Sequence, residues 1–389
     1  MIKIPHHIEN LWPYKAGKSI SELAREKGLK RIVKLASNEN PNGPSPNALA
    51  AIQGALGQSH LYVDPSAYEL TQAIAEEFGK RPAQIVCGHG TDAVIEYTLE
   101  AFTDVGDEVL TSEGTFIGAY VNTNKLGRTL VKIPLLDYAF DIERLARSIN
   151  ERTKVIYLAN PNNPTGSIFT RTEFEWLMQR VPARVLVILD EAYCQYCADE
   201  REYPNGLDYD FENLIVMRTF SKAYGLGGLR AGFAIGPERL ITALQKVKLP
   251  FEPNHLAQVA ARAALKDYDF LRLTLTTNKM SIGRMEQKFD ELGIKRIKTY
   301  CNSILLLMPN EAFAEQFFLR CLDRGLIVRH VKSFGIPEGI RINSGTADET
   351  SFALEIIAEV YPQLVEEHQK RPFVSEVTEH ETDLVHQQE

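Results

Sequence analysis

The chain has 389 residues, of which 44% are hydrophobic and 24% are charged, and its formal net charge is −8. This length allows two domains with sizeable cores, and the acidic balance argues against an extended nucleic-acid-binding surface. No apolar run approaches the roughly 18–20 residues that cross a bilayer, and the N-terminus lacks the pattern of a secretory signal. The odd number of cysteines favours a reduced chain over a disulfide framework. We therefore expect a cytoplasmic protein without nucleic-acid or membrane partners.

The N-terminal and central parts of the chain predict an arm followed by a large domain. Residues 1–45 precede the first predicted strand, and we expect them to join a smaller domain or a partner subunit. Residues 46–270 form the predicted large domain, where β-rich runs alternate with amphipathic stretches, as in a mostly parallel sheet with helices on both faces. The predicted strands are 85–87, 108–111, 129–133, 155–158, 185–189, 214–217 and 231–235. The clearest helical patterns are 92–102, 116–126 and 172–180.

The C-terminal part of the chain predicts a second, smaller α/β domain over residues 271–365. Its predicted strands are 303–308, 326–331 and 340–343, and its predicted helices are 312–324 and 349–361. Residues 366–389 are polar and acidic, so we expect a disordered tail. The predicted fold class is therefore α/β, with a large domain built on a mostly parallel sheet and a smaller C-terminal domain.

Polar residues follow four strands of the predicted large domain. In α/β sheets, ligands bind beyond the carboxyl ends of the strands. The segments in question are 88–92 (Gly-His-Gly-Thr-Asp), 160–166 (Asn-Pro-Asn-Asn-Pro-Thr-Gly), 190–193 (Asp-Glu-Ala-Tyr) and 218–222 (Arg-Thr-Phe-Ser-Lys). Each segment alone has a commoner explanation, such as a helix cap, a tight turn or a solvated lysine. Together, and in this order, they indicate one site at one edge of the sheet.

These motifs resemble those of the fold-type-I aminotransferases, and most closely those of the histidinol-phosphate aminotransferase family. The resemblance runs from Pro13 to Thr346, and its most specific parts are 34–41 (Lys-Leu-Ala-Ser-Asn-Glu-Asn-Pro), 163–166, 190–193 and Ser221-Lys222 with Arg230. It implies pyridoxal 5′-phosphate as the cofactor, an amino donor and 2-oxoglutarate as substrates, and a homodimer with active sites at the subunit boundary.

The resemblance assigns a role in cofactor binding to each matching residue. Lys222 would supply the uncharged amine that bonds to the cofactor aldehyde and would later act as the base. Asp190 would face the pyridine nitrogen, because a carboxylate stabilises its protonated form. The phenolic oxygen would be bound by Tyr193 and Asn163. The remaining cofactor residues are Gly90, Thr91, Asp92, Ser221 and Arg230 at the phosphate, Phe116 stacked on the ring, and Tyr62 reaching the neighbouring subunit's phosphate.

Two arginines and one tyrosine are assigned to the substrate. Arg341 lies within a predicted strand, where an inward arginine needs an anion to meet it. The resemblance implies that Arg341 binds the carboxylate or phosphate of the substrate and that Arg329 makes a second contact to a substrate phosphate. It also implies that Tyr14 contacts the substrate phosphate from the neighbouring subunit. We therefore predict histidinol phosphate as the preferred amino donor. The alternatives are a packing role for Tyr14, an ordinary core position for Phe116 and a half-exposed surface position for Tyr62.

Three departures from the family pattern leave the substrate open. They are His-Leu-Tyr-Val at 60–63, Gly-His-Gly-Thr at 88–91, and Glu252, whose carboxylate would repel a phosphorylated substrate if it faced the same pocket. An aromatic amino-acid aminotransferase and a lyase similar to threonine-phosphate decarboxylase remain alternatives. A pyridoxal-phosphate-binding regulator is disfavoured because no DNA-binding module is visible, and a nicotinamide dehydrogenase because the third glycine of its fingerprint is missing.

The pair Cys194 and Cys197 has the spacing of a redox or metal motif. No second cysteine pair completes a zinc site, and His6-His7 near the N-terminus is better explained as solvated. We therefore predict no bound metal.

Overall fold

The computed structural model describes residues 2–11 and 18–373. The β-strands are β1 Val33–Lys34, β2 Ile85–Gly88, β3 Glu108–Ser112, β4 Thr129–Ile133, β5 Thr153–Ala159, β6 Leu186–Asp190, β7 Leu214–Thr219, β8 Gly232–Ile235, β9 Lys295–Arg296, β10 Ser303–Leu307, β11 Leu326–Ile327, β12 Arg329–His330 and β13 Gly339–Asn343. The α-helices are α1 His6–Glu9, α2 Ile20–Lys27, α3 Pro46–Ala55, α4 Tyr68–Phe78, α5 Gly90–Phe102, α6 Ile117–Lys125, α7 Ile142–Arg147, α8 Arg171–Met178, α9 Glu238–Val247, α10 His255–Leu265, α11 Tyr268–Glu291, α12 Glu311–Asp323 and α13 Ala347–Lys370. None of these helices is long and apolar enough to cross a membrane.

The large domain is built on a seven-stranded sheet in the order β2-β8-β7-β6-β5-β3-β4. Strand β8 runs antiparallel to both of its neighbours, and the other adjacent strands are parallel. Apolar side chains alternate between two buried clusters, one against α5 and α9 and the other against α7 and α8. Burial on both faces explains why the strands are near-continuous apolar runs. The predicted mostly parallel sheet is confirmed.

The parallel strands β5, β6 and β7 end side by side. Ala159, the last residue of β5, is in register with Asp190, the last residue of β6, and Asp190 is in register with Met217 of β7. The loops that leave these strands therefore begin at the same edge of the sheet. That edge carries the residues predicted to bind the cofactor.

The smaller domain contains a four-stranded antiparallel sheet in the order β12-β13-β10-β9. Helices α11, α12 and α13 pack on it around one buried apolar cluster. The N-terminal segment attaches here, because β1 pairs in parallel with β11. This pairing supports the expected association of the N-terminal arm with the smaller domain.

Two details of the smaller domain differ from the sequence-based expectations. The single strand predicted over 326–331 is two short strands in different sheets, because β11 pairs with β1 whereas β12 pairs with β13. The last helix runs to Lys370, so residues 366–370 of the predicted polar tail are helical. Glu367 forms an ion pair with Arg320 of α12, and the His368 ring packs 5.5 Å from the Phe313 ring. Residues 374–389 lie outside the described part of the chain.

Candidate active site

Lys222 and most of the residues predicted to bind the cofactor line one cavity of about 160 Å³ at the carboxyl ends of β5, β6 and β7. The lining residues are Thr91, Asp92, Phe116, Ala159, Pro161, Asn163, Asp190, Ala192, Tyr193, Thr219, Ser221, Lys222 and Arg230. Nine of these residues are predicted from the sequence: Lys222 as the catalytic lysine and eight others as cofactor-binding residues. The segments that carry them are far apart in the chain, so the fold itself brings them together.

Lys222 lies just beyond β7, with its amine turned towards the N-terminal segment. Its Nζ donates a hydrogen bond of 3.5 Å to the backbone carbonyl of Ser37. Desolvation of the amine, together with the nearby Arg341 and Arg230 guanidinium groups, lowers the pKa of Lys222 to about 8. Relative to the ordinary value of 10.5, the uncharged form is then about 300 times more abundant at neutral pH. The structure thus places a nucleophilic amine in the cavity.

Asp190 is buried at the end of β6 and is held by two donors. Its Oδ2 accepts a hydrogen bond from the Tyr157 hydroxyl at 2.7 Å, and its Oδ1 accepts one from the Ala192 N–H at 3.0 Å. Burial raises the pKa of Asp190 to about 6, and both hydrogen bonds oppose that rise. The carboxylate is therefore positioned for a cationic partner in the cavity, which is the property required next to a protonated pyridine nitrogen.

Tyr157 contacts Asp190, a contact that the sequence analysis did not predict. It is buried in the apolar run of β5, two residues before the strand ends. A buried tyrosine hydroxyl needs a hydrogen-bond partner, so its presence inside such a run was the available signal. The identity of the partner, Asp190 on the neighbouring strand, required the sheet register.

An anion-binding corner lies where α5 begins. Arg230 has a left-handed backbone with φ of 59°, and its Nη1 donates a hydrogen bond to Ser221 Oγ at 3.3 Å. Thr91 and Asp92, in the first turn of α5, line the cavity beside Arg230, and the first N–H groups of a helix have no partner within the helix, which favours an anion at this end. Gly90 has a left-handed backbone with φ of 78°, and a β-carbon there would lie 2.6 Å from Arg230 Nη2, so this position favours glycine. Gly90 thus permits the approach of Arg230 and does not itself line the cavity.

Asp92 lines this corner but carries the wrong charge to bind a phosphate through its side chain. Its Oδ2 lies 3.2 Å from Arg230 Nη2 and accepts a hydrogen bond from it. This contact orients the guanidinium group, while the backbone of Asp92 belongs to the first turn of α5. We therefore expect a positioning role for the Asp92 side chain.

The opposite side of the cavity joins the two domains. Asn163 Oδ1 accepts a hydrogen bond of 2.6 Å from Arg341 Nη1, and the Ala36 carbonyl accepts one of 2.6 Å from Arg341 Nη2. The Tyr193 hydroxyl accepts a hydrogen bond of 2.9 Å from Asn38 Nδ2. Arg341 is thus connected directly to a residue predicted to bind the cofactor.

Arg329 and Arg341 lie directly opposite each other on the paired strands β12 and β13. Opposite residues of an antiparallel pair project from the same face of the sheet. The two guanidinium carbons lie 5.9 and 6.0 Å from the centroid of the same Phe334 ring. Strands β12 and β13 therefore pair, and both guanidinium groups lie close to the same aromatic ring.

Three of the predicted features lie away from this cavity or cannot be placed. Tyr62 is 86% exposed and stacks on Phe251 with a centroid separation of 4.6 Å, so it does not serve the cavity of its own chain. Glu252 accepts a hydrogen bond from the Tyr97 hydroxyl and is absent from the cavity lining. Tyr14 lies outside the described residues.

Cys194 and Cys197 are free, buried thiols. They pack with Tyr203 in a small apolar cluster, and burial raises the pKa of Cys194 to about 12. Within residues 2–11 and 18–373, no cluster of three His, Cys, Asp or Glu side chains could hold a metal ion. Packing accounts for this cysteine pair.

The fold is that of the fold-type-I class of α/β enzymes, and Lys222, the buried Asp190 and the first turn of α5 meet at one cavity. The sequence profile of the family Aminotransferase class I and II matches residues 30–357, and the chain belongs to this family. Members of this family depend on pyridoxal phosphate, and this chain is accordingly a pyridoxal-phosphate-dependent aminotransferase.

Several relatives are similar over nearly the whole chain. A histidinol-phosphate aminotransferase 2 from Hydrogenovibrio crunogenus is 42% identical over 347 residues, covering 88% of this chain and 92% of that protein. A histidinol-phosphate aminotransferase from Caldicellulosiruptor saccharolyticus is 38% identical over 355 residues, covering 91% and 98%.

Solved structures show the same fold. The histidinol-phosphate aminotransferase from Sinorhizobium meliloti in complex with pyridoxal-5′-phosphate superposes with a TM-score of 0.87 at 29% identity, covering 94% of this chain and 99% of that one. An aspartate aminotransferase from Thermus thermophilus with maleate superposes with a TM-score of 0.79 at 22% identity, covering 92% and 100%. The second comparison shows the fold alone.

Proposed function

We propose that this enzyme transfers the amino group of histidinol phosphate to 2-oxoglutarate. The observation that carries the proposal is the pairing of Arg329 with Arg341 on one face of the β12–β13 pair. A carboxylate is satisfied by one guanidinium group, whereas a phosphate monoester carries about two negative charges and favours a second cation. The names of the relatives at 36–42% identity support the same substrate.

The residues of the cavity suit pyridoxal phosphate. The chemistry that this cofactor supplies when bound is an electron sink, which stabilises negative charge on the substrate carbon beside the nitrogen. We propose that Asp190 pairs with the ring nitrogen and that Tyr193 and Asn163 bind the phenolic oxygen. We assign the phosphate to the first turn of α5, Ser221 and Arg230, because a guanidinium group, a hydroxyl group and a helix N-terminus suit an anion.

Lys222 is proposed to hold the cofactor covalently and then to move the proton. A lysine with a pKa of about 8 keeps a useful uncharged fraction near neutral pH, and that form both attacks an aldehyde and accepts a proton. Arg341 limits the charge on this amine, since a second positive charge nearby is unfavourable. The same arginine that meets the substrate anion therefore also keeps the base reactive.

The enzyme is proposed to act as a homodimer. Leu61, Tyr62, Leu249 and Phe251 are between 42% and 86% exposed, and Tyr62 stacks on Phe251. A cavity of about 550 Å³, lined in part by Leu61 and Tyr62, opens beside them. An exposed apolar surface of this kind is typical of a protein interface. In a dimer formed through it, Tyr62 would reach the partner's phosphate site and the arm carrying Tyr14 the partner's substrate.

The five free, buried cysteines support a reducing compartment, and we propose a cytoplasmic location on that basis.

The substrate proposal is tested by comparing amino donors in wild type and Arg329→Ala. We expect histidinol phosphate to be the best donor, and the variant to lose about 2–3 kcal/mol of catalytic efficiency with it, as for a charged hydrogen bond. With phenylalanine, which lacks a phosphate, the loss should be clearly smaller. Arg272→Ala, which removes an exposed arginine of α11, is the matched control and should change neither donor.

Two outcomes would select the alternatives. If phenylalanine or tyrosine reacts faster than histidinol phosphate in the wild type, or if Arg329→Ala weakens both donors equally, the enzyme is an aromatic amino-acid aminotransferase. Release of carbon dioxide from threonine phosphate without amino transfer to 2-oxoglutarate would identify a lyase.

A further inference from the structure

The segment 35–38 lies between the two domains and contacts both of them. The carbonyl group of Ala36 accepts a hydrogen bond from Arg341 of the smaller domain, and the carbonyl group of Ser37 accepts one from Lys222 of the large domain. Asn38, the next residue, belongs to the sequence motif 34–41, to which neither the sequence reasoning nor the proposed mechanism gives a function. Its position beside the catalytic lysine makes its contacts informative.

Asn38 is buried, with 1% of its surface exposed, and its backbone is left-handed with φ of 52°. Its Nδ2 donates hydrogen bonds to the Tyr193 hydroxyl at 2.9 Å and to Ser303 Oγ at 3.3 Å. Its backbone N–H donates to Asn343 Oδ1 at 3.1 Å, and its carbonyl group accepts from Asn302 Nδ2 at 3.2 Å. Three of these partners belong to the smaller domain, and Tyr193 belongs to the large domain.

The contact between Asn38 and Tyr193 has a directional consequence. A tyrosine hydroxyl group has one proton to donate and accepts through its lone pairs. The amide N–H of Asn38 occupies one lone pair of the Tyr193 oxygen, so the hydroxyl proton can be donated to a group in the cavity, where Lys222 Nζ lies 5.7 Å from the Tyr193 ring centroid.

We propose that Asn38 is a positioning residue, which holds Tyr193 as a hydrogen-bond donor to the phenolic oxygen of the cofactor. The inference rests on the proposed function, because it assigns that oxygen to Tyr193. Asn38 also bonds to Asn343 on β13, the strand that carries Arg341, so the same residue fixes Tyr193 relative to the substrate-binding strand.

The left-handed backbone determines which variants are informative. Asparagine, aspartate and glycine tolerate this conformation, whereas most other residues are strained in it. Asn38→Gly removes the amide and keeps the backbone. Asn38→Asp keeps the shape, but an ionised carboxylate only accepts hydrogen bonds, so the Tyr193 hydroxyl would donate to it and turn away from the cavity. The aspartate variant should therefore be worse than the glycine variant.

The test is a double-mutant cycle between Asn38→Gly and Tyr193→Phe in the enzyme loaded with pyridoxal phosphate. We expect Asn38→Gly to lower kcat about tenfold, the effect of one hydrogen bond, and to change KM for histidinol phosphate less than twofold. It should also shift the absorbance band of the bound cofactor, because the phenolic oxygen is part of the chromophore. In the Tyr193→Phe background, the same substitution should have almost no further effect on kcat or on the band.

Several results would overturn the proposal. Equal effects of Asn38→Gly in both backgrounds, a higher KM with an unchanged kcat, or full activity of Asn38→Asp would show that Asn38 acts only through interdomain packing. Ser303→Ala, which removes the other contact of the amide, is the matched control and should change kcat less than twofold. Thermal unfolding of each variant identifies any loss of the fold. A wild-type enzyme that fails to bind pyridoxal phosphate would instead refute the proposed function.

Discussion

Substitution of Asp190 by asparagine should separate the stability of the apo-protein from its activity. The side chain is buried against Tyr157 and the Ala192 N–H, and burial raises its pKa from the ordinary 3.8 to about 6. Because the pKa of Asp190 is higher in the folded state than in the unfolded state, folding favours the protonated carboxyl group. This contribution to stability is complete below about pH 4 and is lost as the pH rises through 6.

The magnitude follows from the two pKa values. The full shift corresponds to about 3 kcal/mol, of which about 2 kcal/mol is lost between pH 4.5 and pH 7.5. An amide has the same shape and does not ionise, so Asp190→Asn lacks this loss. We expect the free energy of unfolding of the variant apo-protein, relative to wild type, to rise by about 2 kcal/mol between these two pH values.

Urea unfolding of the cofactor-free proteins at fixed protein concentration measures this difference. Activity should change in the opposite direction, because the amide cannot carry the countercharge of a protonated pyridine, and we expect turnover to fall by about three orders of magnitude. If the difference in unfolding free energy between variant and wild type does not change with pH, Asp190 is not a buried carboxyl group with a raised pKa. If the variant kept a tenth of wild-type turnover, the role of Asp190 at the ring nitrogen would be wrong.

Three further predictions address the remaining roles. Lys222→Ala should abolish amino transfer while leaving the fold intact, and borohydride reduction of the wild-type enzyme followed by peptide mapping should label Lys222; a label at another lysine would refute the assignment. Tyr157→Phe removes a hydrogen bond that lowers the pKa of Asp190, and we expect pyridoxal phosphate to bind weakly once Asp190 is protonated. The midpoint of this loss of affinity at low pH should therefore rise by about one pH unit in the variant. Fluorescence titrations of the apo-protein with the cofactor at several pH values measure the midpoint, and an unchanged midpoint would contradict the contact. Sedimentation of the active enzyme should give twice the chain mass of 43.8 kDa, and a mass equal to one chain would exclude the proposed dimer.

The sequence alone determined the architecture of the large domain. Near-continuous apolar runs separated by amphipathic stretches predicted the parallel sheet, because burial on both faces of a strand leaves this local pattern. The polar residues after each strand identified the site for a similar reason, since the carboxyl ends of parallel strands meet at one edge. This pattern predicted that Lys222, Asp190 and Asn163 lie together, and the family resemblance added Arg230.

The tertiary structure decided which side chains meet across long distances in the chain. The pairing of Tyr157 with Asp190 depends on the register of β5 and β6, and the pairing of Asn38 with Tyr193 depends on how the N-terminal segment crosses between the domains. Glu252 is a second example. From the sequence alone its carboxylate could face the substrate and repel a phosphate, but in the folded structure it accepts a hydrogen bond from Tyr97.

The smaller domain shows why the local sequence pattern does not determine which strands pair. The sequence of 326–331 predicts one continuous strand, yet the chain changes sheets within it. Its first part, β11, pairs with β1, and its second part, β12, pairs with β13. The last helix likewise continues to Lys370, where Glu367 pairs with Arg320 and the His368 ring packs against Phe313. A local sequence pattern reports how much of a segment is buried, but the partner that buries it is set by residues far away in the chain, and only the folded structure shows which partner that is.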